Sequence, residues 1–261
     1  MARDEQQLLE EKYGGKKTPS YEADRKRLAG GEPLAYVIGW QPFLGLKIHL
    51  DSKPLIPRPE TEWWTEQLLL HLDLYSKPPS GNHASKLKFL DLCAGSGAIG
   101  CAILKALPYT EVFFGEIDAT HEATIQKNIR ENNLDASRAD IRIGDLFGPF
   151  EKMTFDVIVA NPPYVPVNRA LPASVADHEP GLALFAGEDG LDIIRRIAIE
   201  LPKHLTKNGI AWIECDREHA EASRSLFIAR GFAAEIRNDQ YDKPRIIVVR
   251  PIKNRTDGAV L

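Results

Sequence analysis

The sequence predicts an α/β fold built on a mostly parallel sheet. Apolar runs of strand length recur from residue 88 onward and alternate with segments of helical pattern. The first of these runs leads into a glycine-rich turn. Later ones end in an acid or an asparagine, at the strand ends where open α/β sheets bind ligands.

Taken in order, the chain opens on two polar segments, 5–13 and 21–28, that amount to one and a half helices broken at Gly14-Gly15. A helix is expected over 59–74, with Trp63 and Trp64 either closing one side of a site or, the favoured reading, packing on the core. Residues 76–85, rich in Pro, Ser, Gly and Asn, form a linker by composition. Strands are then expected at 88–92, 111–118, 140–147, 155–160 and 209–215. Helices over 98–107, 120–132, 190–205 and 217–230 alternate with them. Two further strand candidates, 233–237 and 245–249, are joined by a turn at 238–244.

The turn after the first strand reads Asp91-Leu92-Cys93-Ala94-Gly95-Ser96-Gly97-Ala98-Ile99-Gly100. Its glycines allow close backbone approach to a ligand, and the helix that follows presents free N–H groups. Gly95, Gly97 and Gly100 formally satisfy G-x-G-x-x-G, a pattern that would equally suit NAD or FAD. The second strand ends at Asp118, the expected ribose ligand, and the third at Asp145-Leu146, suited to an adenine and its exocyclic amine. Each acid taken singly could as well be a helix N-cap. Their recurrence at successive strand ends favours ligand binding.

After the apolar run 155–160 stands Asn161-Pro162-Pro163-Tyr164, which points to methylation of an amino group. A planar NH2 is a poor nucleophile because its lone pair is delocalised. An Asn oxygen and the next carbonyl can accept its two N–H groups while the Tyr ring packs on the flat group. The two prolines stiffen the loop and carry no N–H of their own. A plain Pro-rich turn is the alternative for the tetrapeptide alone.

Together, the glycine turn, the strand-end acids and the N-P-P-Y loop resemble the class I S-adenosylmethionine-dependent methyltransferases. The segments Glu32-Pro33-Leu34-Ala35-Tyr36-Val37-Ile38-Gly39, Arg58-Pro59-Glu60-Thr61-Glu62 and Asp177-His178-Glu179-Pro180-Gly181 narrow the resemblance to the HemK/PrmC family, protein-(glutamine-N5) methyltransferases of peptide chain release factors. The resemblance implies a Rossmann-like, seven-stranded sheet with a C-terminal antiparallel hairpin. It implies methyl transfer from S-adenosylmethionine, leaving S-adenosylhomocysteine, to the Gln amide in the Gly-Gly-Gln loop of a class I release factor. Carried over by position, Asp91 and Cys93, Ala94, Gly95, Ser96 and Gly97 would surround the methionine part of the cofactor. Asp118 would bind the ribose, Asp145 with Leu146 the adenine, and Asn161, Pro162, Pro163 and Tyr164 the glutamine amide. Arg58, Pro59, Glu60, Thr61, Glu179 and Pro180 would form a substrate loop. Cys93 departs from the Gly usual in bacterial members and looks more like organellar, eukaryotic ones, which implies a mitochondrial location, with the cytoplasm as alternative. Family members also carry a larger helical domain before the segment that starts at Leu34, so residues 1–31 are expected to be a truncated form of it.

Composition bounds what remains. The 261 residues, 43% hydrophobic, suit one large α/β domain with a small appendage. The expected division is 1–31 helical, 32–75 connecting hairpin and R-P-E-T-E helix, 76–86 linker, 87–251 methyltransferase domain and 252–261 tail. A net charge of −4 argues against a broad nucleic-acid surface. Three cysteines without a C-x-x-C pair fit a reducing compartment, and seven histidines without H-E-x-x-H spacing suggest no metal. No apolar run is long enough to span a membrane, and the acidic start is unlike a signal or transit peptide. A monomer is expected. The rival readings are an adenine-N6 or cytosine-N4 nucleic-acid methyltransferase, a ribosomal-protein glutamine methyltransferase, and a non-catalytic cofactor-binding scaffold.

Overall fold

A computed structural model describes residues 2–75 and 87–252. The expected linker at 76–86 and all but the first residue of the expected tail lie outside the described residues.

Three helices, α1 (Ala2–Tyr13), α2 (Pro19–Ala29) and α3 (Leu34–Ile38), come first. The expected break at Gly14-Gly15 is present, with both glycines at positive φ and the Gly15 N–H closing on the Leu9 carbonyl at 2.9 Å to cap α1. The opening is nevertheless more than the one and a half polar helices expected. Thr18 caps α2 by accepting the Tyr21 N–H, and Leu8, Tyr21, Leu28, Val37 and Ile38 pack into a small core of their own. Its apolar residues are too sparse to mark a helical period, so this core is invisible in the pattern. Beside it Asp24 accepts from Lys12 (2.6 Å), Tyr13 (2.7 Å) and Arg27 (2.7 Å), which ties α1 to α2.

A hairpin of β1 (Trp40–Phe43) and β2 (Leu46–His49) follows, then α4 (Pro59–Tyr75). The main sheet is built from β3 (Leu87–Leu92), β4 (Thr110–Glu116), β5 (Ala139–Ile143), β6 (Phe155–Ala160), β7 (Leu205–Glu214), β8 (Phe232–Asn238) and β9 (Pro244–Pro251). Between these strands run α5 (Ala98–Ala106), α6 (Glu122–Glu131), the short α7 (Ala173–Ala176), α8 (Asp192–His204) and α9 (Ala220–Ile228). The strand order is β5-β4-β3-β6-β7-β9-β8, parallel as far as β7, with β9 antiparallel to both neighbours. This is the expected sheet with its C-terminal antiparallel hairpin.

Alternation along each strand feeds two cores, because successive side chains point to opposite faces. Phe89, Val157, Val159, Trp212 and Val248 join the cluster that includes α4, α5 and α6 residues. Leu90, Leu92, Ile158, Ala160, Ile213 and Ile247 join the cluster on the α8 and α9 side. Trp64 is fully buried in the first of these clusters, as the core reading expected, with Trp63 packed against it.

One edge contact carries the hairpin to the site. Asn128 on α6 and Asn132, four residues on at its C-cap, hydrogen bond the backbone of His49 and Lys47, two residues apart on β2. The spacings match because four helical residues rise about 6 Å and two strand residues about 6.6 Å. The Asn128 amide also donates to the Ser96 carbonyl at 2.9 Å, so the hairpin, α6 and the glycine turn share one fully buried side chain. Asn128→Ala should cost about 1–3 kcal/mol, because it strands buried backbone groups, whereas Asn132→Ala, partly open to water, should cost under about 1 kcal/mol. Urea unfolding midpoints of the two variants measure this, and equal midpoints would contradict the clamp.

Candidate functional site

The parallel register sets the site. Leu92 lies opposite Gly115 on one side and Ala160 on the other, so the next residues along, Cys93, Glu116 and Asn161, emerge side by side. A cleft opens there, lined by Cys93 to Ser96, Glu116 to Asp118, Gly144 to Leu146, Asn161 and Pro163. Leu55, Pro57 and Thr61 close one side of it, and Pro180, Leu182, Phe185 and Arg196 another.

The turn after β3 takes its shape from backbone conformation. Cys93 (φ 61), Gly95 (φ 54) and Gly97 (φ 75) are all left-handed, a region that disfavours a side chain at Cys93. Burial pushes the Cys93 thiol up, with Glu116, Asp91 and Asp145 adding to it, so it is not a thiolate at neutral pH. Gly100 serves packing: a Cβ there would lie 2.2 Å from the Phe114 ring, so its absence lets α5 sit against β4.

Two acids behave differently from expectation. Strand β4 ends at Glu116, two residues before Asp118, and Glu116 is the buried strand-end acid. One of its oxygens accepts the Gly95 N–H at 2.7 Å and the other the Asp118 N–H at 2.9 Å. Asp118 lines the mouth of the cleft, but its Oδ1 accepts from the Thr120 N–H and hydroxyl, making it the cap of the next turn. Asp91 does not line the cleft. It is fully buried beneath the turn, where its Oδ2 accepts the Gly100 N–H at 2.8 Å and its Oδ1 has no partner. Asp145 and Leu146 do line the cleft, with Asp145 paired to Arg196 at 2.5 Å.

The expected substrate loop is brought together in part. Arg58 pairs with Glu179 at 2.5 Å, and the other Glu179 oxygen accepts the Ile56 N–H at 3.2 Å, so two distant segments meet over the site. Thr61 and Pro180 face the cleft, whereas Pro59 and Glu60 form the first turn of α4 away from its lining. Beyond the N-P-P-Y loop, Val165 pairs with the strand-like Leu184–Ala186 segment through two backbone hydrogen bonds. Gly190 makes the return tight enough, since a Cβ there would lie 2.4 Å from the Tyr164 carbonyl.

In the N-P-P-Y loop, Asn161 Nδ2 donates to Thr61 Oγ1 at 3.3 Å, while its Oδ1 is buried at the cleft wall without a partner. Pro163 lines the cleft and Pro162 is buried behind it. Tyr164, expected to pack on the substrate's flat group, is not among the residues that line the cleft. Its ring packs into the α8-side core and its hydroxyl donates to Glu214 at 3.1 Å. Glu214, the last residue of β7, is 1% exposed and also accepts from Thr61 (2.8 Å) and Trp64 Nε1 (2.7 Å). Burial pushes its carboxyl up against the lowering effect of those donors. Glu116, Glu214 and Arg196 were missed as site residues. For Glu214 the available signal was a lone acid closing an otherwise apolar run.

Burial pushes the Asp91 carboxyl up to about 8, opposed by the Gly100 N–H and reinforced by Glu116. Its folded value lies above the unfolded one of about 3.9. Its stabilising contribution is therefore complete below pH about 4 and lost as pH rises to about 8. Asp91→Asn, neutral throughout, should flatten that part of the stability profile in urea unfolding across this range. An equally steep profile in the variant would contradict the assignment.

Residues 68–176 match the family "Methyltransferase small domain". The release factor glutamine methyltransferase of Chlamydia trachomatis serovar L2 is 34% identical over 230 residues, 87% of this chain and 74% of that protein. That of Thermodesulfovibrio yellowstonii is 35% identical over 228 residues, 85% and 78% of the two chains. A methyltransferase structure from Pyrococcus furiosus superposes with a TM-score of 0.56 at 16% identity, covering 88% of this chain and 99% of that one, and shows the shared fold. These two relatives are bacterial, which lends the mitochondrial expectation no support. Among the described residues no helix is long and apolar enough to cross a membrane. With most of its length matched at this identity, the chain belongs to the release factor glutamine methyltransferase family.

Proposed function

We propose that this chain transfers a methyl group from S-adenosylmethionine to the side-chain amide nitrogen of the glutamine in the Gly-Gly-Gln loop of a class I release factor. The observation that carries the reading is Asn161 Oδ1, a buried acceptor without a partner at the wall of the cleft. An N–H of a substrate amide is the partner it lacks. Family membership supplies the substrate.

The donor set fits the cofactor. Backbone of the left-handed turn from Cys93 to Gly97 would take the methionine part. Glu116, rather than Asp118, would take the ribose hydroxyls, because it is the acid that ends β4 at the cleft and is held there by the Gly95 and Asp118 N–H groups, while Asp118 caps the next turn through Oδ1. Asp145 and the buried Leu146 would take the adenine. When bound, the cofactor supplies an electrophilic methyl group on a sulfonium. Asn161 Oδ1 and the Pro162 carbonyl would each accept one amide N–H and so turn the nitrogen lone pair towards that methyl. Such placement can supply roughly 7 to 11 kcal/mol without a general base. The prolines hold the carbonyls in place, and Tyr164, anchored on Glu214, holds the loop.

Labelled methyl is expected on a release factor carrying Gly-Gly-Gln and on neither its Gln→Ala variant nor DNA. Label on DNA alone would overturn the glutamine reading. By calorimetry, Glu116→Ala should weaken S-adenosylmethionine binding about 10- to 100-fold, the worth of hydrogen bonds to a charged group. Asp118→Ala should change it by less than about 3-fold. The reverse ranking would return the ribose to Asp118.

A further inference from the structure

Glu214 gathers three donors within a fully buried site: Thr61 Oγ1, Trp64 Nε1 and the Tyr164 hydroxyl. Thr61 and Trp64 meet the same Glu214 oxygen, Oε2, which is an acceptor because an indole nitrogen only donates, and a threonine hydroxyl has a single hydrogen. The Thr61 hydrogen is therefore committed to Glu214, and towards Asn161 the same oxygen can only accept. Asn161 must then turn its NH2 to Thr61, as found at 3.3 Å, and leave Oδ1 for the cleft. Turned over, it would set oxygen against oxygen at Thr61 and present a donor to the substrate.

We infer that Glu214, acting through Thr61, is a positioning residue that fixes the polarity of the Asn161 amide and so makes the site select a carboxamide over a carboxylate. The inference rests on the reading that Asn161 holds the glutamine amide. With Oδ1 facing the cleft, a glutamine offers it an N–H, whereas a glutamate offers it only a negative oxygen. Trp64 adds a consequence. Because it only donates, it would hold the oxygen of a glutamine at position 214 towards itself and Thr61, and leave the glutamine NH2 for the Tyr164 hydroxyl to accept. Glu214→Gln therefore preserves the polarity, while Glu214→Met releases the Thr61 hydrogen to Asn161.

The test uses the full chain, S-adenosylmethionine, and a release factor carrying Gly-Gly-Gln or, as inhibitor, Gly-Gly-Glu. Thr61→Val and Glu214→Met are expected to lower kcat about 10- to 100-fold. Their S-adenosylmethionine dissociation constants should stay within about 3-fold of the parent. Thr61→Ser and Glu214→Gln should recover kcat to within about 5-fold. The Gly-Gly-Glu protein should inhibit Thr61→Val about 10-fold more strongly than it inhibits the parent, an effect that loosened packing would not produce. Parental kcat in Thr61→Val, or equal weakening towards the Gln and Glu proteins, would overturn the inference while leaving the methylation reading intact. Absence of methyl transfer by the parent would overturn both.

Discussion

The parallel pairing of β3 with β6 is the constraint on which the site depends. It sets Leu92 beside Ala160, so the glycine turn and the N-P-P-Y loop leave the sheet at the same level although some seventy residues apart in sequence. The strand order reverses direction between these two strands, which opens a crevice instead of covering it with a helix. Everything placed in that crevice is held by elements packed on both faces of the sheet. A slip of one residue would turn the inward Val157 and Val159 to the opposite face and carry Asn161 out of the wall.

Around this frame the polar groups share a division of labour. Glu116 straps the glycine turn to the end of β4 through Gly95. Asp91 props the start of α5 from beneath through Gly100. Glu214 joins α4, the N-P-P-Y loop and β7 through Thr61, Trp64 and Tyr164. Burying a carboxyl without such partners is costly, and each of these acids has at least one neutral donor to offset that cost. The strapping of Arg58 to Glu179 extends the arrangement to the outer segment, so the walls of the cleft are held from several distant parts of the chain.

Much of this was legible in the sequence. The alternation of apolar runs marked every strand of the main sheet, and the motif residues Asn161, Cys93 to Ser96, Asp145 and Leu146 line the cleft. Where the structure departs from these expectations, the causes are physical. Strand β4 stops at Glu116, and the backbone turn that stops it uses Asp118 as a cap, so an acid two residues along looked like the strand-end ligand. Asp91 shares a motif with the turn yet points beneath the sheet edge, a matter of strand parity that the motif does not display. Tyr164 was expected on the substrate because of its aromatic face, but a buried carboxylate across the sheet claims its hydroxyl. That partner lies fifty residues away in sequence, and long-range polar pairing leaves no local pattern.

Asn161 is where these constraints converge, and under the proposed function its unpartnered oxygen would be the group that meets the substrate amide. The most direct measurement is the single-turnover rate of Asn161→Ala with S-adenosylmethionine and a Gly-Gly-Gln release factor both saturating, alongside its cofactor dissociation constant. A fall of about 10²-fold or more in the rate, with cofactor affinity nearly unchanged, is the expected result. An unchanged rate would contradict the assignment of Asn161 as the acceptor that orients the glutamine amide.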